Sequence, residues 1–118
     1  MTGSVGYHAG RTAEAIVSQR YVDAGYSVSA QRWRGSGGEI DLIVEAEGCT
    51  VFVEVKKSKS HAAAAWRLGH RQQQRILQTA EEFLARSPTG LDTECRFDLA
   101  LVDGVGDVSL LENVLGHG

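Results

Sequence analysis

Glu54 and Lys56 stand two positions apart in Thr50-Val51-Phe52-Val53-Glu54-Val55-Lys56, a run otherwise rich in β-branched and apolar residues. Side chains alternate along a strand, so the acid and the lysine share one face, about 6.7 Å apart along the chain, while Val51, Val53 and Val55 take the other. Charge inside such a strand needs a partner or a purpose. The preceding run, Ile40-Asp41-Leu42-Ile43-Val44, offers the partner, and Glu45-Ala46-Glu47-Gly48 joins the two as a connection of hairpin length. A loop of two residues (47 and 48) or of four (46 to 49) sets Asp41 opposite Glu54 and Glu39 opposite Lys56. A three-residue loop breaks that parity. Directly opposed residues have Cβ atoms about 4.5 to 5.5 Å apart, and two carboxylates that close repel unless a proton or a cation sits between them. A hard divalent cation fits the gap, because Mg²⁺ characteristically takes one or two carboxylates together with waters and a substrate phosphate. Glu39 and Lys56 have two readings. Structurally they form a cross-strand ion pair that tolerates charge in the sheet. Chemically, Lys56 holds or polarises an attacking water, or neutralises charge developing on a phosphate. Geometry leaves both open.

The elements that must position these residues follow from periodicity and punctuation. Ala13, Ile16, Val17 and Ala24 recur at helical spacing over residues 11 to 24, with Gly25 placed as the stop. Tyr26 to Arg34 reads as a strand, broken by Gly35-Ser36-Gly37-Gly38. The two runs around Asp41 and Glu54 are the next strands. Ile76, Leu77, Ala80, Phe83 and Leu84 then form the apolar stripe of an amphipathic helix that ends before Pro88 and Gly90. Phe97 to Val102 gives another strand and Val108 to Leu111 a short one. The order αβββαβ(β) predicts an α/β fold, a mixed sheet flanked by helices, in a single domain over 1–118.

Composition narrows the class. With 118 residues, 42% hydrophobic and 23% charged, the chain has the make-up of one soluble globular domain. No apolar run approaches the ~20 residues of a membrane span, and the first residues lack a secretory h-region; cytoplasmic residence without membrane attachment is the expectation. Cys49 and Cys95 have no CxxC spacing and read as half-buried thiols, and the four histidines show no zinc-ligand spacing. The net charge of −3 argues against nonspecific coating of nucleic acid, yet its distribution is uneven. Residues 32 to 75 carry eight Lys/Arg against five acids, and residues 76 to 118 two against eight. Basic charge therefore gathers around the segment that holds the chemistry.

Gly38-Glu39-Ile40-Asp41-Leu42-Ile43 followed by Val51-Phe52-Val53-Glu54-Val55-Lys56 resembles the YraN family of small bacterial proteins. Gly25-Tyr26, Trp33-Arg34 and Arg96-Phe97-Asp98 also match that family's order and spacing. The resemblance covers nearly the whole chain. It implies a restriction-endonuclease-like core, whose nucleases share the PD-(D/E)xK signature and include Holliday-junction resolvases. Carried over, the signature aspartate is Asp41, the acid of the triplet is Glu54 and its lysine is Lys56, while Ile40 replaces the signature proline. The resemblance implies that Asp41, Glu54 and the Val55 carbonyl hold Mg²⁺ or Mn²⁺, with Glu14 of the first helix completing the set, and that Lys56 positions the attacking water. It implies DNA as substrate, selected by structure, and allows a homodimer, because related resolvases pair. Arg34, Lys57, Lys59, Arg67 and Arg71 are the expected phosphate contacts. A lysine usual at the start of the family's second long helix is replaced here by Gln72, with Arg71 beside it. The rival reading keeps the fold without cleavage, as a catalytically silent nucleic-acid-binding or protein-interaction module.

Overall fold

The structure, a computed structural model, describes residues 9–57, 66 and 69–115. Helix α1 (Ala9–Asp23) buries Ala13, Val17 and Tyr21, four residues apart in turn and therefore on one stripe. Its end is a Schellman turn. Gly25 sits at φ +99°, its N–H donates to the Val22 carbonyl at 3.0 Å, and the Tyr26 N–H donates to the Tyr21 carbonyl at 3.0 Å. The hydrophobic contact that accompanies such turns is made by the two tyrosine rings, edge to face at 5.4 Å.

Strands β1 (Ser27–Arg34), β2 (Glu39–Ala46) and β3 (Cys49–Lys56) form an antiparallel meander. Helix α2 (His70–Leu84) carries the chain across to β4 (Glu94–Val102), which pairs parallel to β3 as such a crossover allows. The short strand β5 (Val108–Leu111) closes the far edge, antiparallel to β4. The five strands lie in the order β1-β2-β3-β4-β5, an α/β mixed sheet compatible with the restriction-endonuclease-like fold. Elements expected from sequence are present in the expected order, with ends moved by one to a few residues.

The sheet is covered on both faces. On one, Ala13, Val17 and Tyr21 pack on Leu42, Val44, Val51, Val53, Ala100 and Val102. On the other, Ala80 and Leu84 of α2 pack on Ile40, Ile43 and Phe52, and Ile76 joins Trp66 over Leu99 and Leu101. Val51 and Val53 are thus core residues of the α1 face, as alternation requires, and Phe52 and Glu54 point to the α2 side. The glycine run after β1 fits tightly against α2. A Cβ on Gly37 would come within 3.0 Å of the Arg75 carbonyl and of Thr79 Oγ1. The Ser36 N–H donates to Glu82 Oε1 at 2.9 Å and its hydroxyl donates to the other oxygen of the same carboxylate, so the run is tied to the helix. Cys49 and Cys95 are both free and half-buried.

Candidate metal and nucleic-acid site

The register between β2 and β3 runs from Ala46↔Cys49 to Leu42↔Val53, with a two-residue loop. Glu47 and Gly48 both take positive φ, +50° and +80°, the type I′ turn whose twist matches the strands it joins. The pairing continues to bring Asp41 to Glu54, but there the two strands exchange side-chain bonds instead of a regular ladder. The Val55 N–H donates to Asp41 Oδ2 at 2.8 Å, and the Asp41 N–H donates to Glu54 Oε1 at 3.3 Å. Each carboxylate is therefore fixed by the other strand's backbone. Among the described residues neither Asp41 Oδ1 nor Glu54 Oε2 carries a hydrogen bond, which leaves one oxygen of each acid available.

Strand β2 also changes side at this point. Ile40 and Ile43 pack together on the α2 face, three residues apart, while Leu42 packs on the α1 face. Strict alternation forbids that, so its break falls at Asp41. Its neighbour β1 does the same. Ala30 and Trp33 share the α2 face, and Arg32 between them has φ +51°. The flanking pairs Gln31↔Leu42 and Trp33↔Ile40 set Arg32 across from Asp41. The notch therefore lies where two adjacent strands are both irregular.

Electrostatics follow from this crowding. Burial is the main cause that raises the Glu54 carboxyl from 4.5 to about 7, with the Asp41 charge next. Burial likewise raises Asp41; the Val55 N–H opposes the shift, Glu14 adds to it, and Lys56 lowers it. Lys56 acts on both acids in the stabilising sense, as the shared face with Glu54 requires.

These directions set a pH dependence. Between its ordinary value and about 7, folded Glu54 holds a proton that the unfolded chain has released. The folded state binds more protons in that window, so its stability falls as pH rises through it. Glu54→Gln keeps an acceptor for the Asp41 N–H and carries no charge. In EDTA it is expected to match wild type near pH 4.5 and to exceed it above pH 7, by about 1–3 kcal/mol. Urea unfolding at both pH values checks this; equal stability at the higher pH contradicts a penalty on the buried Glu54 charge.

The other expected residues distribute as follows. Glu14 lies close enough to act on Asp41, but its carboxylate pairs with Arg32 Nε at 3.4 Å and does not join the Asp41–Glu54 pair. Of the two readings of Glu39 and Lys56, the cross-strand ion pair is not the one formed: Glu39 pairs at 3.4 Å with Arg34, which stands opposite it in the β1–β2 register. Arg34 is the partner of that acid and its side chain is 81% exposed. Lys57 and Arg71 are exposed. Lys59 and Arg67 lie outside the described residues. A cavity of about 170 Å³ opens beside the notch, lined by Gly38, Glu39, Glu54, Gln72 and Arg75 among others. Arg75 was not singled out by sequence; its spacing of i+3 from Gln72, on the same side of α2, was the available signal.

The donor set suits a hard cation. Two carboxylates with free oxygens, held by backbone N–H groups and with the Asp41 charge pressing on Glu54, are oxygen ligands of the kind Mg²⁺ and Mn²⁺ take. Among the described residues no three His, Cys, Asp or Glu side chains converge.

The family model described as "Uncharacterised protein family UPF0102" matches residues 13–102. A UPF0102 protein of Roseobacter denitrificans is 54% identical over 116 residues, spanning 98% of this chain and 90% of its own length. The chain belongs to the UPF0102 (YraN) family. A UPF0102 protein of Cereibacter sphaeroides is similar to it at 55% identity over 113 residues, 96% of this chain and 97% of the relative. One from a Ruegeria strain is similar at 40% over 116 residues, 98% of this chain and 94% of the relative. The match to this UPF0102 chain spans both strands of the notch, Arg32, Glu14 and the whole of α2. Among the described residues no helix is long and apolar enough to cross a membrane.

Proposed function

We propose that this UPF0102 chain is a divalent-cation-dependent endonuclease acting on DNA in the cytoplasm. The observation that carries the reading is the notch itself: two carboxylates from adjacent strands, Asp41 held by the Val55 N–H and Glu54 by the Asp41 N–H, with a lysine on the same face as Glu54. Asp41, Glu54 and the Val55 carbonyl would hold Mg²⁺ or Mn²⁺. When bound, the ion lowers the pKa of a water and offsets charge on the phosphate. Lys56 orients the attacking water by donating to it, and its charge stabilises the more anionic transition state. Arg34, Lys57 and Arg71, all exposed, supply backbone phosphate contacts. The family resemblance supports this assignment, since the same residues match the PD-(D/E)xK signature.

The test is cleavage of branched, flapped and single-stranded DNA with Mg²⁺ or Mn²⁺. Wild type is expected to cut at least one of these, and Lys56→Ala to lower the rate by about 10²–10³-fold while still binding the ion. Equal rates in both proteins reject the role of Lys56. A second reading, a DNA-binding module that does not cut, is favoured by the Arg32 grip on Glu14, which keeps a third carboxylate out of the pair. Binding to these DNAs with no cleavage under either ion selects that reading.

A further inference from the structure

Two acids flank the notch without joining it, and both are held by arginines of the edge strand β1. Arg32 Nε pairs with Glu14 Oε1, and Arg34 pairs with Glu39 Oε2, each at 3.4 Å. Glu14 and Glu39 are also charges that act on Asp41. The acids Glu14, Glu39, Asp41 and Glu54 thus face Arg32, Arg34 and Lys56, a group one negative charge from balance.

Arg32 differs from Arg34 in how it arrives there. It stands across from Asp41 in the β1–β2 register and takes a left-handed backbone, φ +51°, which an arginine adopts rarely. That conformation breaks the alternation of β1, putting Ala30 and Trp33 on one face and leaving Arg32 to reach Glu14 on α1. Left-handed backbone at a non-glycine residue beside a functional site points toward a role for its side chain. The grip is one that a cation can displace: the guanidinium side chain is 61% exposed and the carboxylate 32%, so solvent screens the pair.

We propose that Arg32 is a cation-released ligand for a DNA backbone phosphate, held by Glu14 when the notch is empty and freed when a divalent ion draws Glu14 in. The proposal rests on the notch being a cation site. The ion competes with Arg32 for Glu14, so each weakens the other's hold. Once released, the exposed guanidinium lies beside the notch with its hydrogen-bond fork available to a phosphate, which it matches in bidentate geometry. Metal and DNA then bind with positive coupling: the ion creates a phosphate contact that its absence masks.

The experiment measures fluorescein-labelled flapped DNA by anisotropy in Ca²⁺ and in EDTA at matched ionic strength, and Mn²⁺ uptake by calorimetry. Arg32→Gln is expected to weaken DNA binding about three- to tenfold in Ca²⁺ and less than about twofold in EDTA, and to lower the salt slope by about one only in Ca²⁺. The same variant should bind Mn²⁺ a few times more tightly than wild type, because Glu14 no longer has a rival partner. Glu14→Gln frees Arg32 without the ion, so its DNA affinity in EDTA should rise. Equal losses for Arg32→Gln in Ca²⁺ and EDTA, or no loss in either, overturn the release mechanism while the notch stands if wild type takes up Mn²⁺. Wild type that takes up no Mn²⁺ overturns the notch and the release together.

Discussion

Asp41→Asn is expected to lose Mn²⁺ uptake and DNA cleavage together while the protein stays folded. Asparagine has the shape of aspartate and still offers an oxygen to the Val55 N–H, so the strand-to-strand bond survives the change. What disappears is the charge. A neutral amide is a poor ligand for a hard cation that binds through few protein oxygens. Cation affinity should fall by at least about 100-fold, since even outer-shell changes at metal sites cost 10- to 100-fold. Cleavage should fall by about 10³-fold or more, the scale on which removed electrostatic stabilisation is felt. The contrast with Lys56→Ala separates the two roles, because that variant keeps the ion and loses turnover. Calorimetric Mn²⁺ titration and a cleavage time course read both quantities. Wild-type uptake by Asp41→Asn places the ion elsewhere and removes this aspartate from the site.

Asp98→Ala carries the largest expected effect on stability. The Asp98 side chain is fully enclosed and accepts four hydrogen bonds: from Tyr21 Oη at 2.6 Å, from Arg96 Nε at 3.0 Å and its terminal nitrogen at 3.2 Å, and from the Asn113 N–H at 3.0 Å. It thereby joins α1, β4 and the turn after β5. Arg96 also reaches the Tyr26 hydroxyl at 3.3 Å and Glu112 at 3.6 Å, so one charge anchors a network. Removing the carboxylate leaves the Tyr21 hydroxyl without its acceptor and the half-buried Arg96 with only the Tyr26 hydroxyl and Glu112. Loss of one partner from a buried pair costs about 3–5 kcal/mol, a large share of the 5–15 kcal/mol that holds a typical domain. Urea unfolding at neutral pH reads it directly; a loss under about 1 kcal/mol shows that water replaces the carboxylate and that the network is ornamental.

Much of the site was legible because its parity survives several loop choices. Loops of two or four residues give one register, and the observed loop has two, so Asp41 and Glu54 meet as expected. Val51 and Val53 likewise fall in the core by alternation alone. What escaped the sequence was departure from regularity. The left-handed backbone of Arg32 and the change of face at Asp41 carry no periodic signal, so the Arg32–Glu14 pair could not be anticipated. The ladder's end at Leu42↔Val53 has the same character, and Glu39 pairs instead across β1–β2 with Arg34. Nor does periodicity show where the buried charge of β4 finds its partners. Arg96 and Asp98 bind each other and reach Glu112 and Asn113 just past β5, and Asp98 also accepts from Tyr21, 77 residues away, a distance over which local pattern is blind.

Strand β1 is an outer strand of the sheet, with one margin of backbone amides and carbonyls facing outward. Such a margin invites strand-by-strand stacking with other molecules and, at high concentration, fibrous aggregates. Its register shift between Val28 and Ala30, the twist at Arg32 and the two guanidinium groups make it a poor template for that growth. The irregularity that aims Arg32 therefore also helps keep the molecules apart in solution.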